Sequence, residues 1–364
     1  MMSDDVAEQI AALRDEDWGV REDAAKALGD LRSPEGVSGL IEALEDTDRA
    51  VREAAIAALM SIGEAAVPDL GMCLNGPNLS VQEAVAKVLS VIADERVATP
   101  LQSALLSRDW AVRMYATKAL AKLKWVEATE TLVLLLQDTV KAVRDEAVSA
   151  LEAIGEPAVA PLLKTLHHKE WTIRLRAAEA LGKLRALQAV GPLVDRLLQD
   201  PDTAVRQDAA KALGEIGNVG AVDALLAILD VPSLQTPAIE ALGKIGDSKA
   251  SKPLVKMIKA LRTEDYEDRT PACEDNQYKM ELSAIEAAVT ALARIKAPHT
   301  LPVLVSALQS TLIRQEAAQA LVIFGPQAIP SLLDVLKTEQ DTNILFYAKE
   351  TLTRLGWRPG QIRL

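Results

Sequence analysis

The sequence predicts an all-α fold, a right-handed α-solenoid of about eleven two-helix repeats. Three observations predict it. One segment returns along the chain with a period near 30, and its apolar positions have helical spacing. The 364 residues are 49% apolar but only 3% aromatic, so a core must be built from Leu, Ala, Val and Ile. That composition suits closely packed helices better than a β-sandwich, which favours β-branched and aromatic residues. A helix pair of about 30 residues cannot bury its apolar face alone, and stacking on the next pair is the remedy.

The clearest copy is Val20–Gly29, which returns as Val205–Gly214. With its first residue as anchor, copies start at Val20, Val51, Val81, Val112, Val143, Ile173, Val205, Leu234, Ala284, Ile313 and Ile344. Leu stands at +8 in every copy, Ala at +4 in all but Val85, and Leu, Ile or Phe324 at +11. Positions 0, +4, +8 and +11 share one face of an α-helix, here the B helix. Gly follows at +12 in six copies (Gly63, Gly155, Gly217, Gly246, Gly325 and Gly356), where a helix stop is expected. A second amphipathic stretch fills the rest of each period, as in Val37/Leu40/Ile41/Leu44, and Pro often opens it. This is the A helix. The first pair is expected at about residues 4–14 and 18–31. Repeat 9 is expected to pair about 251–261 with about 280–295. No linker divides the repeats, so residues 1–364 read as one domain with an inserted loop at 262–279.

The match Asp17–Gly29, with Asp48–Leu59, Asp109–Leu120 and Asp202–Gly214, resembles the HEAT-like repeats of the phycobilisome-lyase type. The resemblance covers nearly the whole chain. It implies a solenoid and leaves activity open, because such repeats serve scaffolds, bilin-attaching chaperone-lyases and deoxyhypusine hydroxylases alike. The hydroxylases carry His-Glu pairs for two irons. Here His167, His168 and His299 are the three His, and none precedes a Glu. The di-iron chemistry is therefore not expected.

The Arg after the anchor (Arg21, Arg52, Arg113, Arg144, Arg174, Arg206 and Arg314) belongs to the repeat. An acid stands four residues before that position at Asp17, Asp48, Asp109, Glu170, Asp202, Glu281 and Asp341. It is placed to cap the B helix. In the copies with Asp17, Asp48, Asp109, Glu170 and Asp202 it is also placed to pair with the Arg, forming a ladder between repeats. A row of ligand-binding Arg is the competing reading.

Departures from the repeat carry the individual function. Trp18, Trp110 and Trp171 share one position, two before the anchor, in repeats 1, 4 and 6. They either seal a neighbouring turn or form an aromatic rim for a partner. Repeat 4 adds Met114, Tyr115 and Trp125, and repeat 6 adds Leu175. Exposed Trp, Tyr and Met dominate interface energies. The insertion, RTEDYEDRTPACEDNQYK, has six acids and almost nothing to bury. It joins A to B and so leaves from the same edge as the three Trp. Tyr266, Asp268, Arg269 and Tyr278 are its candidate contact residues. Cys273, flanked by acids, is a poor nucleophile. Both ends read as caps, with Ser3-Asp4-Asp5 at one and Phe346, Tyr347 and Trp357 beside basic residues at the other.

Composition bounds the rest. A net charge of −12 argues against a sequence-blind nucleic-acid binder. Two Cys make no disulfide framework, so a reducing cytoplasm is expected. The acidic start lacks the basic region of a signal peptide, and no 18-residue apolar run predicts a membrane span. No phosphate loop, serine elbow, calcium loop or zinc pattern is found, and no cofactor or metal is expected. The expected function is a non-enzymatic scaffold or assembly chaperone for one or more proteins. The resemblance supplies the alternative, a phycobilin lyase or lyase-isomerase subunit that delivers a bilin to an apo-phycobiliprotein.

Overall fold

A computed structural model describes residues 4–260 and 276–358, except the side chains of 276–278. Among the described residues the chain is helix and turn, with no strand. It divides into two compact units, Met1–Thr165 and Leu166–Leu364.

The first unit holds five A–B pairs and the A helix of repeat 6, Val159–Thr165. Its B helices are Trp18–Leu31, Arg49–Ile62, Leu79–Ile92, Trp110–Leu123 and Lys141–Ile154. The second unit opens on the B helix of repeat 6, Trp171–Lys183, and carries the pairs of repeats 7 to 11. Its other B helices are Thr203–Ile216, Pro232–Ile245, Asn276–Ile295, Arg314–Phe324 and Thr342–Arg354. A short 3-10 turn usually leads from B into the next A, as at Val126–Ala128 before Thr129–Leu135. The A–B alternation is an α-solenoid. Residues 49–73 are apolar enough to pass for a membrane span, but they are two helices. Gly63, at φ 72° and ψ −133°, breaks them apart.

The apolar columns pack as their spacing dictates. The +8 Leu is fully buried in all eleven copies, and so is the +4 residue. The anchor is buried in every repeat but the first, where Val20 and Leu31 are exposed. This end of the first unit therefore presents apolar side chains in addition to the exposed Asp4 and Asp5. In repeat 11, Lys349 and Thr353 are exposed, at positions held by buried small residues in repeat 7 (Ala210 and Gly214).

The +12 residue has positive φ in every repeat. Six are the Gly named above, and the other five are Arg32, Ala93, Lys124, Arg185 and Lys296. Each of those five holds an L-residue in the left-handed region at a steric cost.

The close approach between repeats comes from a position that sequence reasoning passed over. It is the +9 Gly. A Cβ on Gly182 would lie 2.7 Å from the Cα of Ala212, and Gly29, Gly214 and Gly243 meet Ala58, Ala241 and Ala291 at 2.8 Å. The partner is always the +7 Ala of the next repeat. Repeat 2 has Met60 at +9, and its B helix runs beside that of repeat 3 over less of its length.

A polar ladder reinforces the joints. Asp17, Asp48, Asp109, Asp202 and Asp341 cap their B helices, each accepting the backbone N–H two residues on. Glu170 makes no side-chain cap, and Glu281 lies inside Asn276–Ile295. The ladder Arg does not pair with these acids, and a pairing within one repeat is therefore corrected. Arg21 reaches Asp46 of the next repeat through Nε at 2.6 Å and Nη2 at 2.8 Å. Arg113 grips Asp138 at 2.6 and 2.9 Å, and Arg174 grips Asp200 at 2.8 and 2.7 Å. Nη1 of each Arg meanwhile donates to two carbonyls of its own A-to-B turn, such as Ser107 and Arg108 for Arg113. The Asp also accepts the N–H of the residue two further on, such as Asp202 for Asp200. One carboxylate thus links a side chain of one repeat to the turn of the next. The Arg174 and Asp200 side chains are only 7% and 0% exposed. Burial opposes ionisation of Asp200, but Arg174, the Asp202 N–H and Arg196 outweigh it and hold the carboxyl below its usual range. Asp138 is shifted the same way, burial again opposing and Arg113 prevailing.

Three outcomes follow for stability. Lys124→Gly is expected to stabilise by about 0.5–1 kcal/mol, since relief of left-handed strain exceeds the entropy that Gly adds. Gly182→Ala is expected to lose about 1–3 kcal/mol as the two B helices are forced apart. Both are read from urea melts. Asp200→Asn is expected to lose about 3 kcal/mol at neutral pH by leaving Arg174 buried without its counter-charge. The folded carboxyl titrates below the unfolded one. Its contribution is therefore complete above about pH 4 and is lost as pH falls through the folded pKa. Wild type should lose that increment on acidification, and Asp200→Asn should have a correspondingly flatter acid limb.

Candidate functional site

The B helices expose positions −2, +2, +6 and +10, one helical face. On that face the first unit is mostly balanced. Lys26 pairs with Glu22, Arg49 with Glu53 and Lys141 with Asp145, each four residues apart. Exposed pairs of this kind contribute little binding or stability.

Repeat 4 departs from the pattern. Trp110 is the first residue of its B helix and is 46% exposed. Met114, one turn on, and Tyr115 are half-buried, and the acid found at +2 in repeats 1 to 3 is replaced by Met114. Trp125 is also half-buried, its indole N–H 3.4 Å from Gln102 Oε1. Trp18 opens repeat 1 in the same unit at 51% exposure. Between Trp18 and Trp110 the first-turn position holds Arg49 and Leu79, both exposed, and Lys141 follows in repeat 5. These three were missed because only the aromatic copies of the column were singled out. Reading the −2 column through every repeat would have found them. In the second unit Trp171 is the first residue of its helix, 44% exposed, with Leu175 half-buried one turn on. All three Trp therefore present much of their rings to solvent.

Tyr266, Asp268 and Arg269 lie outside the described residues, as does Cys273. Tyr278 falls on the helix Asn276–Ile295, but its side chain is outside the description. The insertion is consequently shorter than expected, because the B helix of repeat 9 starts at Asn276. Other B helices start two residues before the anchor, except Arg314–Phe324, which starts one after, and this one starts eight before. Those six added residues carry it about 9 Å further at the helical rise.

The ladder Arg are engaged inside the fold rather than forming a free row. Arg52 keeps Nη1 on the Asp46 and Thr47 carbonyls but pairs with no acid among the described residues. His168 accepts the Glu170 N–H through Nδ1, and its carbonyl accepts from Arg174. Among the described residues no group of three or more His, Cys, Asp or Glu is placed to hold a metal ion. Burial and nearby Asp69 push the Cys73 thiol above its usual range.

Known proteins place these features in a family. Residues 6–90, 99–168, 159–236, 192–274 and 283–352 match the family described as HEAT repeats. A deoxyhypusine hydroxylase of Eremothecium gossypii is 32% identical over 206 residues, 53% of this chain and 62% of that one. A phycocyanobilin lyase subunit alpha of a Nostoc species is 31% identical over 218 residues, 57% of this chain and 72% of that one. Among solved structures, Kap121p superposes with a TM-score of 0.66 at 15% identity, covering 98% of this chain and 46% of that one. At that identity the likeness concerns the fold alone. With repeat matches along most of its length, the chain belongs to the HEAT-repeat family, with repeats of the phycobilisome-lyase-like kind.

Proposed function

We propose that the protein is a non-enzymatic docking scaffold that binds a partner protein on the exposed face of its B helices. The observation that carries this reading is the exposure of Trp18, Trp110 and Trp171, each at the first turn of a B helix. A Trp that only sealed a neighbouring turn would lose most of its surface. A half-exposed one, beside Met114 and Tyr115 in repeat 4, is a ready anchor for a partner's apolar side chains. A balanced charge around it favours a specific apolar contact over long-range attraction. The insertion of repeat 9 is assigned to the same partner as an ordering clamp, with Tyr266, Asp268, Arg269 and Tyr278 its contact residues.

A second reading is favoured by the relatives named as phycocyanobilin lyase subunits. In it the protein binds a bilin and transfers it to an apo-phycobiliprotein, a docking function with a pigment added.

Affinity capture separates the two. Trp110→Ala combined with Tyr115→Ala is expected to weaken partner binding tenfold or more, about 1.4 kcal/mol or above, with the melting temperature nearly unchanged. A partner retained in full by this variant and by a chain lacking residues 262–279 would remove the docking reading. For the second reading, mixing with free bilin should shift and sharpen the visible absorbance. An unaltered spectrum, with and without an acceptor protein, would eliminate it.

A further inference from the structure

We propose that the joint between repeats 2 and 3 is a binding site for a carboxylate, which Arg52 takes from a ligand as other ladder Arg take it from Asp46, Asp138 and Asp200. The inference does not rest on the docking reading.

The pose of Arg52 is that of its paired counterparts. Its Nη1 donates to the Asp46 carbonyl at 2.6 Å and the Thr47 carbonyl at 3.0 Å. Arg21 does the same to Asp15 and Glu16 at 2.9 and 3.1 Å. Those bonds fix the plane of the guanidinium. In Arg21 they turn Nε and Nη2 toward the next repeat, where both meet Asp46. That Asp stands two residues before the N-cap Asp48. Two residues before the matching N-cap, Asn78, stands Gly76. The fork of Arg52 is therefore held toward a place without a side chain.

Arg206 shows that this pose is not forced. The residue matching Asp46 in repeat 8 is Leu229, and Arg206 turns Nε to the Leu197 carbonyl at 2.8 Å instead. Arg52 keeps the paired pose without its acid, and Arg144 holds Nη1 on the Asp138 and Thr139 carbonyls in the same way.

The joint also has room. Arg52 lines a pocket of about 290 Å³ on the B-helix face, where Arg49, Arg52 and Lys87 outnumber Glu53 and Glu83. Gly76 lines a second pocket of about 310 Å³, where Ile41, Cys73, Pro77 and Val81 stand beside Glu42, Glu45 and Asn78. Met60, at the place of the close-packing Gly, keeps the two B helices from lying together as they do at the Gly joints. A charged fork in a pocket that Leu44, Ile56 and Ala84 also line selects a carboxylate on a small apolar body, through two parallel N–H to oxygen bonds. The source is either a free aliphatic acid or an Asp or Glu side chain of another protein.

The test follows Arg Nε–H resonances of the full-length ¹⁵N-labelled chain at fixed ionic strength. The probes are sodium hexanoate and the blocked peptide acetyl-Leu-Glu-Leu-amide, with chloride as control. One resonance, missing in Arg52→Gln, should shift saturably with a carboxylate and not with chloride. Arg52→Gln is chosen because Gln82 makes the equivalent bond to the Gly76 carbonyl in repeat 3. It should weaken the better probe at least tenfold. Gly76→Asp supplies the carboxylate from within. It should move the Arg52 resonance without ligand, raise the melting temperature and weaken the probe at least tenfold. Tighter binding of hexanoate supports a small-molecule ligand, and tighter binding of the peptide supports a partner's acidic side chain. The proposal is overturned if neither probe shifts the resonance beyond chloride, or if Gly76→Asp binds as wild type does.

Discussion

How closely one B helix can lie on the next governs the rest of the structure. The +9 Gly of one repeat rests on the +7 Ala of its neighbour, and a single Cβ would bring the backbones into collision. The +8 Leu column is fully buried at joints with and without that Gly, and Arg113 reaches Asp138 where the +9 residue is Ala121. The ladder is interrupted at the Met60 joint, and pockets open there as they do beside Gly182 and Ala291 at close-packed joints.

The ladder itself is a local solution to a general problem. Each A-to-B turn exposes carbonyls and N–H groups that no helix satisfies. One Arg covers two carbonyls, one Asp covers an N–H, and the two grip each other across the joint. Removing a charge from a pair as enclosed as Arg174–Asp200 leaves the other without solvent. The open fork of Arg52 is the same construction with one part left to an outside group.

The proposed docking surface lies where this regularity is interrupted. The B-helix face of the first unit mostly neutralises its own charges within single helices. Repeat 4 opens its B helix with Trp110, Met114 and Tyr115, so its first turns are apolar where repeats 1, 2 and 5 carry ion pairs. An apolar surface set among compensated charges can recognise a partner without attracting every charged macromolecule.

The sequence by itself determined the helices, their order and their stops, because those depend on spacing within one repeat. The +8 Leu column, the six Gly at the helix stops and the Trp at the first turn were all legible in that way. Only the tertiary structure decided which atoms meet across a joint. The capping Asp looked like the partner of the Arg because it is four residues away, yet the true partner is some 25 residues on, in the next repeat. The left-handed backbone at Arg32 and Lys124 was hidden because neither residue type advertises it. The close-packing Gly was hidden because its meaning depends on an Ala in another helix. Local periodicity encodes one helix at a time. The distance between two helices depends on pairs of residues that no single period relates.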